Sequence, residues 1–379
     1  MAKRRQNGEG TIYQRPNGLW VCEITLGYDA DGKRQKKTVS SMDLEKLKKK
    51  INDLKYLNDR HMVAEPSKYT VADWVEFWLE TYKKQSVKPT TYDMYHNALE
   101  TYIRPNIGHY KLDALRSVNV QRFINGLAEK GVRKDTGLSE SSIKKILITL
   151  SQAYDKAIAL NMLFENPCAD IHIPKKEKRK ATAFTKEEQE RFLSLCHGNN
   201  SFENLFICAF HTGMRLGELL ALTWDDIAGQ SIMVSKTLTV VNSYAPPGHT
   251  KTRTLIDTTK TEQSNRTIPL STAACAAIKR QKERNKTQSP FVFCSVAGTP
   301  LMKRNIYRSF HKILEQAAVK SPVTFHSMRH SFVTRLLEKG ADIKTVSELL
   351  GHKSIQITLD IYSHVSSDLK EKTISLLNE

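Results

Sequence analysis

A chain of 379 residues exceeds the size at which one core keeps growing, and its apolar share of 40% is ample for two or three packed domains. Lysine and arginine outnumber aspartate and glutamate by 58 to 40, and the resulting excess of +18 calls for a polyanionic partner to offset self-repulsion. Nucleic acid leads, although a membrane-surface or ribosome-associated protein carries similar charge, and charge alone does not separate these. Cys22, Cys168, Cys196, Cys208, Cys275 and Cys294 lack CxxC or CxxxC spacing, which argues against a zinc module and a disulfide scaffold. They read as ordinary thiols in a reducing compartment. No apolar stretch follows the basic start MAKRRQNGEG, and no run is long enough to span a membrane, so a soluble cytoplasmic protein is expected.

From Thr11 to Tyr28 the pattern alternates around Asn17-Gly18, as a hairpin does. A second turn at Asp31-Gly32 leads into KRQKKTVSS, and DLEKLKKKINDLKYL then takes a helical period. The spacing predicts three strands packed on one helix over residues 1–66. Arg15, Lys33, Arg34, Lys36 and Lys37 fall on those strands and suit phosphate contacts; a solvated charged hairpin is the plainer reading.

Over 69–174 apolar residues recur at three- and four-residue spacing between Pro, Gly and Ser/Thr clusters, predicting an all-helical domain. Trp74, Trp78, Tyr92 and Tyr95 belong to amphipathic faces and are expected in its core rather than stacked on bases. A basic linker follows over 175–181, where Lys175, Lys176, Lys178, Arg179 and Lys180 surround a single glutamate and suit a phosphate backbone. The remainder, 182–379, mixes helices with SIMVSKTLTVVN, TRTLIDTT and RTIPLS, the pattern of one α+β domain.

The chemistry gathers in that last domain. Thr212 is the expected cap of a helix that carries Arg215 in its first turn, where free N–H groups and a guanidinium fork suit an anion. Arg215 pairing with Glu218 on the surface, or Glu218 steadying the guanidinium from behind, are both open. After Pro322, Thr324 reads as the cap of a helix stopped by Gly340, with His326 and Arg329 on one face. IKTVSELLG should end at Gly351 and present His352; Ser354 then caps the helix that carries Tyr362. Two arginines, imidazoles and a late tyrosine, with no sign of a metal site, suggest a tyrosine nucleophile attacking a phosphodiester.

TGMRLGELLALTWDDI, TKTEQSNRTIPL, HSMRHSF and LGHKSIQITLDIYSHV, in this order, resemble the catalytic domain of the tyrosine recombinases, the phage and transposon integrase family. The similarity is strongest to integrases of conjugative transposons and phages from Gram-positive bacteria. It implies a multidomain protein: a small three-stranded sheet-plus-helix module for arm DNA, an all-α core-binding domain and an α+β catalytic domain. It also implies a site-specific recombinase that excises and integrates a mobile element through a 3′-phosphotyrosyl intermediate and a Holliday junction. Arg215 and Arg329 would bind the scissile phosphate, Lys260 would protonate the leaving 5′ oxygen, and His326 would act as acid or base. His352 would support the transition-state charge, Tyr362 would be the nucleophile, and Glu218 and His330 would support them. TKT occurs twice, and Lys260 is preferred over Lys251 because it alone precedes SNRTIPL.

No metal, ATP or other cofactor is implied. The partners would be duplex DNA at core and arm sites, three further copies in a tetramer on DNA from a monomer in solution, an excisionase and a host DNA-bending protein. The rivals are a DNA-binding architectural or regulatory protein with a dead site, a type IB topoisomerase, and a Xer-like resolvase.

Overall fold

A computed structural model describes residues 11–28, 34–59, 68–130, 137–176, 182–198, 200–244, 251–258, 265–352 and 354–362. Lys33, Lys178, Arg179, Lys180 and Lys260 lie outside the described residues, as do the side chains of Arg34, Lys37 and Tyr362. The chain divides into two compact units, 1–176 and 177–379.

The first unit begins with an antiparallel sheet of order β1-β2-β3, formed by β1 (Thr11–Gln14), β2 (Trp20–Tyr28) and β3 (Arg34–Ser41). The β1–β2 turn places Gly18 at φ 79°, and Asn17 Oδ1 accepts from the Leu19 N–H at 3.2 Å. Helix α1 (Leu44–Asp59) follows, and its Leu47 and Ile51 pack on Cys22 and Ile24 of β2. The expected strands and helix are therefore all present.

Helices α2 (Val71–Trp78), α3 (Pro89–Ala98), α4 (Arg104–Asn106), α5 (Ser117–Glu129) and α6 (Glu140–Ala159) form a separate core in the same unit. Thr70 and Asp73 make a capping box at α2, and Ser139 caps α6. Trp74, Trp78, Tyr92 and Tyr95 are all buried. Burial strands polar atoms unless they are paired, so Trp74 Nε1 donates to Ala153 O at 2.8 Å. Leu79–Lys83 and Leu99–Ile103, which share the tetrapeptide LETY, are π-helical. An extra residue in one turn leaves an apolar stripe nearly intact, so periodicity alone reads each as ordinary helix.

The second unit places α7 (Lys186–Cys196), α8 (Glu203–Thr212) and α9 (Leu216–Ala221) before its strands. β4 (Ile227–Ala228), β5 (Ser231–Val234) and β8 (Arg266–Pro269) form an antiparallel sheet; β6 (Lys236–Asn242) and β7 (Thr252–Thr258) form a hairpin. Helices α10 (Thr272–Arg284), α11 (Lys303–Gln316), α12 (Ser327–Glu338), α13 (Ile343–Leu350) and α14 (Ile355–Tyr362) complete it. Phe184, Phe192, Phe206, Phe210, Phe310 and Phe325 sit at the centre of its main core. Val333, Leu337, Val346 and Leu350 form a smaller cluster that seats α13 against α12.

Two helix starts differ from the sequence expectation. Thr212 does not cap α9: it is the last residue of α8, where its hydroxyl donates back to Cys208 O at 2.6 Å. Gly213, at φ 62°, then turns the chain, and Arg215 itself takes the cap position of α9. Thr324 does not cap α12 either, because the chain first makes a tight turn and His326 takes that position. The close of α13 at left-handed Gly351 agrees with the sequence.

Candidate active site

Three helix ends converge in the second unit: the start of α9, the start of α12 and the end of α13. Arg215 begins the cluster. Its backbone N–H and its Nη1 donate to the two oxygens of Glu218 at 2.8 and 2.7 Å. The pair is not a surface one, because the Glu218 side chain is 3% exposed while that of Arg215 keeps 42% open. A half-open guanidinium held by a buried carboxylate can still present donors to a ligand.

Arg329, in the first turn of α12, is buried. Its Nη1 donates to Gly213 O at 2.8 Å and its Nη2 to Leu350 O at 2.7 Å, so it joins the ends of α8 and α13. Its Nε has no partner among the described residues. Burial, with the charges of Arg215 and Arg266, pushes its pKa down to about 9, against the pull of Glu218. A buried cation under such pressure is offset best by an anion.

The imidazoles lie in the same field. His326 and His330 stand ring to ring at 4.8 Å, edge to face. Partial burial, then His330, Arg329 and Arg215, push His326 down to about 4. His330 is lowered by burial and by Arg329, and its buried Nδ1 has no partner among the described residues. His352, just past Gly351, shares a hydrogen bond between Nδ1 and Thr358 Oγ1 of α14 at 2.8 Å. Burial, with Arg329, Arg215, His326 and Arg266, pushes it down to about 3. His326 and His352 are therefore neutral at pH 7 in the free protein, and His330 is pushed toward its neutral form.

Tyr362 is the last residue of α14, which packs against α12 and α13, the helices that carry Arg329 and precede His352. Lys251 is exposed, just ahead of β7. The residue that sequence reasoning missed is Arg266, the first of β8, bonded to both Glu218 oxygens at 3.3 and 2.8 Å. It stands inside the SNRTIPL motif, so its position was in view; a partner 48 residues away was not.

Elsewhere, Arg15, Lys36 and Lys175 are exposed, Lys36 Nζ stands 4.0 Å from Glu23, and exposed Lys176 donates to Gly137 O at 3.0 Å. Burial pushes the thiols of Cys168, Cys196 and Cys208 up to about 12. Among the described residues no group of His, Cys, Asp or Glu is arranged to hold a metal ion, and no helix is long and apolar enough to cross a membrane.

Comparison with known proteins bears on the same residues. The profile of the phage integrase family matches residues 182–368, and that of the phage integrase N-terminal SAM-like domain matches 70–128. A "Tyrosine recombinase XerC-like" protein of Caldanaerobacter subterraneus is 29% identical, over 94% of this chain and 95% of its own length. The ICEBs1 integrase of Bacillus subtilis is 27% identical over 65% of this chain and 67% of its own. Among solved structures, the Tn1549 transposon integrase in complex with a circular intermediate DNA aligns with a TM-score of 0.68 at 22% identity, over 82% of this chain and 100% of that one. A lambda integrase tetramer bound to a Holliday junction aligns at 0.60 and 20% identity, over 95% and 96%.

Proposed function

This chain belongs to the phage integrase family, the tyrosine recombinases, which cut and rejoin DNA, and we propose that it integrates and excises a mobile genetic element. The observation that carries the reading is the convergence of Arg215, Arg329, His326 and His352, from three helix ends, beside the helix that ends in Tyr362. Buried and half-buried guanidiniums balanced by one carboxylate form a pocket that lacks negative charge, and a phosphodiester supplies it.

In the proposed reaction Tyr362 Oη attacks the scissile phosphorus. The tyrosyl O–P bond forms, the P–O5′ bond breaks, and the DNA 3′ phosphate stays on the protein. Arg215 and Arg329 hold the non-bridging oxygens, where charge gathers in the transition state. His326 is neutral at pH 7 and so can take the phenolic proton; Lys260 delivers one to the departing 5′ oxygen. His352, fixed by Thr358, donates to a phosphate oxygen. A 5′ hydroxyl from the partner strand reverses the steps, and the phosphotyrosyl link conserves the bond energy throughout.

Four strands in two duplexes require four such tyrosines, so the working form is a tetramer assembled on DNA from monomers, passing through a Holliday junction. The first sheet, with Arg15 and Lys36, is assigned to arm DNA, the helical domain and the basic linker to core DNA. An excisionase and a host bending protein complete the assembly, which belongs with the bacterial nucleoid.

The test is a denaturing gel of the protein incubated, in EDTA, with supercoiled plasmid carrying the joined ends of its element. A protein–DNA adduct should form with wild type and vanish with Tyr362→Phe. Tight binding without any adduct would favour an architectural DNA-binding protein instead.

A further inference from the structure

Arg266 has no part in the phosphate chemistry above, yet its side chain bonds to two separate elements around the site. Its side chain is 5% exposed. Nε donates to Leu349 O at 2.7 Å, while Nη1 and Nη2 reach the two oxygens of Glu218 at 3.3 and 2.8 Å. Glu218 already receives the backbone N–H and Nη1 of Arg215. Leu349 immediately precedes Leu350, whose carbonyl takes Arg329 Nη2, and His352 follows two residues later. One buried guanidinium thus ties β8 to the start of α9 and to the end of α13.

Both the charge and the shape of that link matter. With Glu218 alone, Arg215 would form a closed ion pair with little charge left to offer. A second arginine on the same carboxylate leaves the group net positive. The fork also bonds in two directions at once, which a lysine ammonium on its single stem does not reproduce. Burying a carboxylate and one guanidinium is costly to desolvate and is weak evidence of a stabilising device, so the use of Glu218 and Arg266 lies in fixing geometry.

We propose that Arg266 is a positioning residue for DNA cleavage, holding Glu218 and the end of α13 so that Arg215, Arg329 and His352 meet one phosphate. The inference rests on the recombinase reading given under Proposed function. Arg266 also follows Lys260, the proposed proton donor, by six residues in the sequence.

The experiment measures single-turnover adduct formation on a nicked substrate that traps the covalent intermediate, alongside gel-shift affinity for the same DNA and thermal melting. The chains compared are wild type, Arg266→Met, Arg266→Lys, Arg215→Lys and the double variant Arg215→Lys/Arg266→Met. Misplacing the phosphate-binding groups by about an ångström should slow Arg266→Met about 100-fold, with DNA affinity kept within about threefold. Arg266→Lys, which keeps the charge but not the fork, should fall between. Because Arg266 acts through Arg215, the double variant should be no slower than Arg215→Lys, within about threefold.

Cleavage by Arg266→Met within about threefold of wild type, or losses that multiply in the double variant, would overturn the inference. If Arg266→Met does not fold, Arg266→Lys decides: slowed cleavage with intact binding supports the role, and a wild-type rate refutes it. Absence of adduct from wild type would overturn the recombinase reading and this inference with it; an active wild type with an unaffected Arg266→Met overturns this inference alone.

Discussion

At the residue scale the site is held by charge placed where water cannot relax it. Burial pushes the Glu218 carboxyl upward, but the hydrogen bonds and charge of Arg266, with the backbone N–H and charge of Arg215, outweigh it and hold the group below its usual value. His352 has the clearest consequence for pH. Its folded imidazole takes a proton only near pH 3, from an ordinary value of 6.5, so between those values the unfolded chain binds more protons. Stability of the DNA-free protein should therefore fall as pH drops through that window, and His352→Asn should lose less. Urea unfolding at about pH 7.5 and about pH 5 checks this, with equal losses in the two proteins contradicting it. His326 shares the sign, but its open edge makes its contribution the smaller. Individual residues were largely legible in the sequence: Arg215, Arg329, His326 and His352 are brought together by the fold. Arg266 was not, because no spacing rule links a strand residue to a carboxylate on a distant helix.

At the element scale the arrangement depends on how helices stop. Gly213 and Gly351 both take left-handed backbone, and each ends a helix whose last carbonyls serve Arg329. A Cβ on Gly213 would stand 2.7 Å from Phe332 Cδ1 and 2.9 Å from Leu350 Cδ2. Gly213→Ala should cost about 2 kcal/mol or more, from strained backbone and overpacking, and should slow DNA cleavage because Leu350 O moves with its side chain. Gly126→Ala is the control, since a Cβ there meets nothing within 4 Å and removes a helix-interior glycine. Calorimetric melting separates the two; equal melting temperatures would contradict the account. Helix stops marked by glycine were legible, as at α13. The two helix starts read from Thr212 and Thr324 were not: Thr212 bonds back into α8 and Thr324 lies in a preceding turn, and a hydroxyl residue serves caps and turns alike.

At the scale of the whole molecule, one excess of charge and two compact units serve a single polymer partner. The formal +18 raises the rate of encounter with DNA, an effect that weakens as salt rises, while Glu218, Arg266 and Arg329 are buried where salt hardly screens them. The class of each module was legible, because alternation and helical period change abruptly along the chain. The π-helical turns were not, because they preserve the stripe. The central claim is that this machinery delivers one phosphate to Tyr362. Its most direct test is to form the covalent adduct with the full-length chain and DNA bearing the element's joined ends. The adduct is then digested with protease and nuclease, and the nucleotide-bearing peptide is located by mass spectrometry. The account predicts a 3′-phosphonucleotide on Tyr362, in the peptide that follows Lys353. A nucleotide on any other side chain, or a link through the DNA 5′ phosphate, would contradict it.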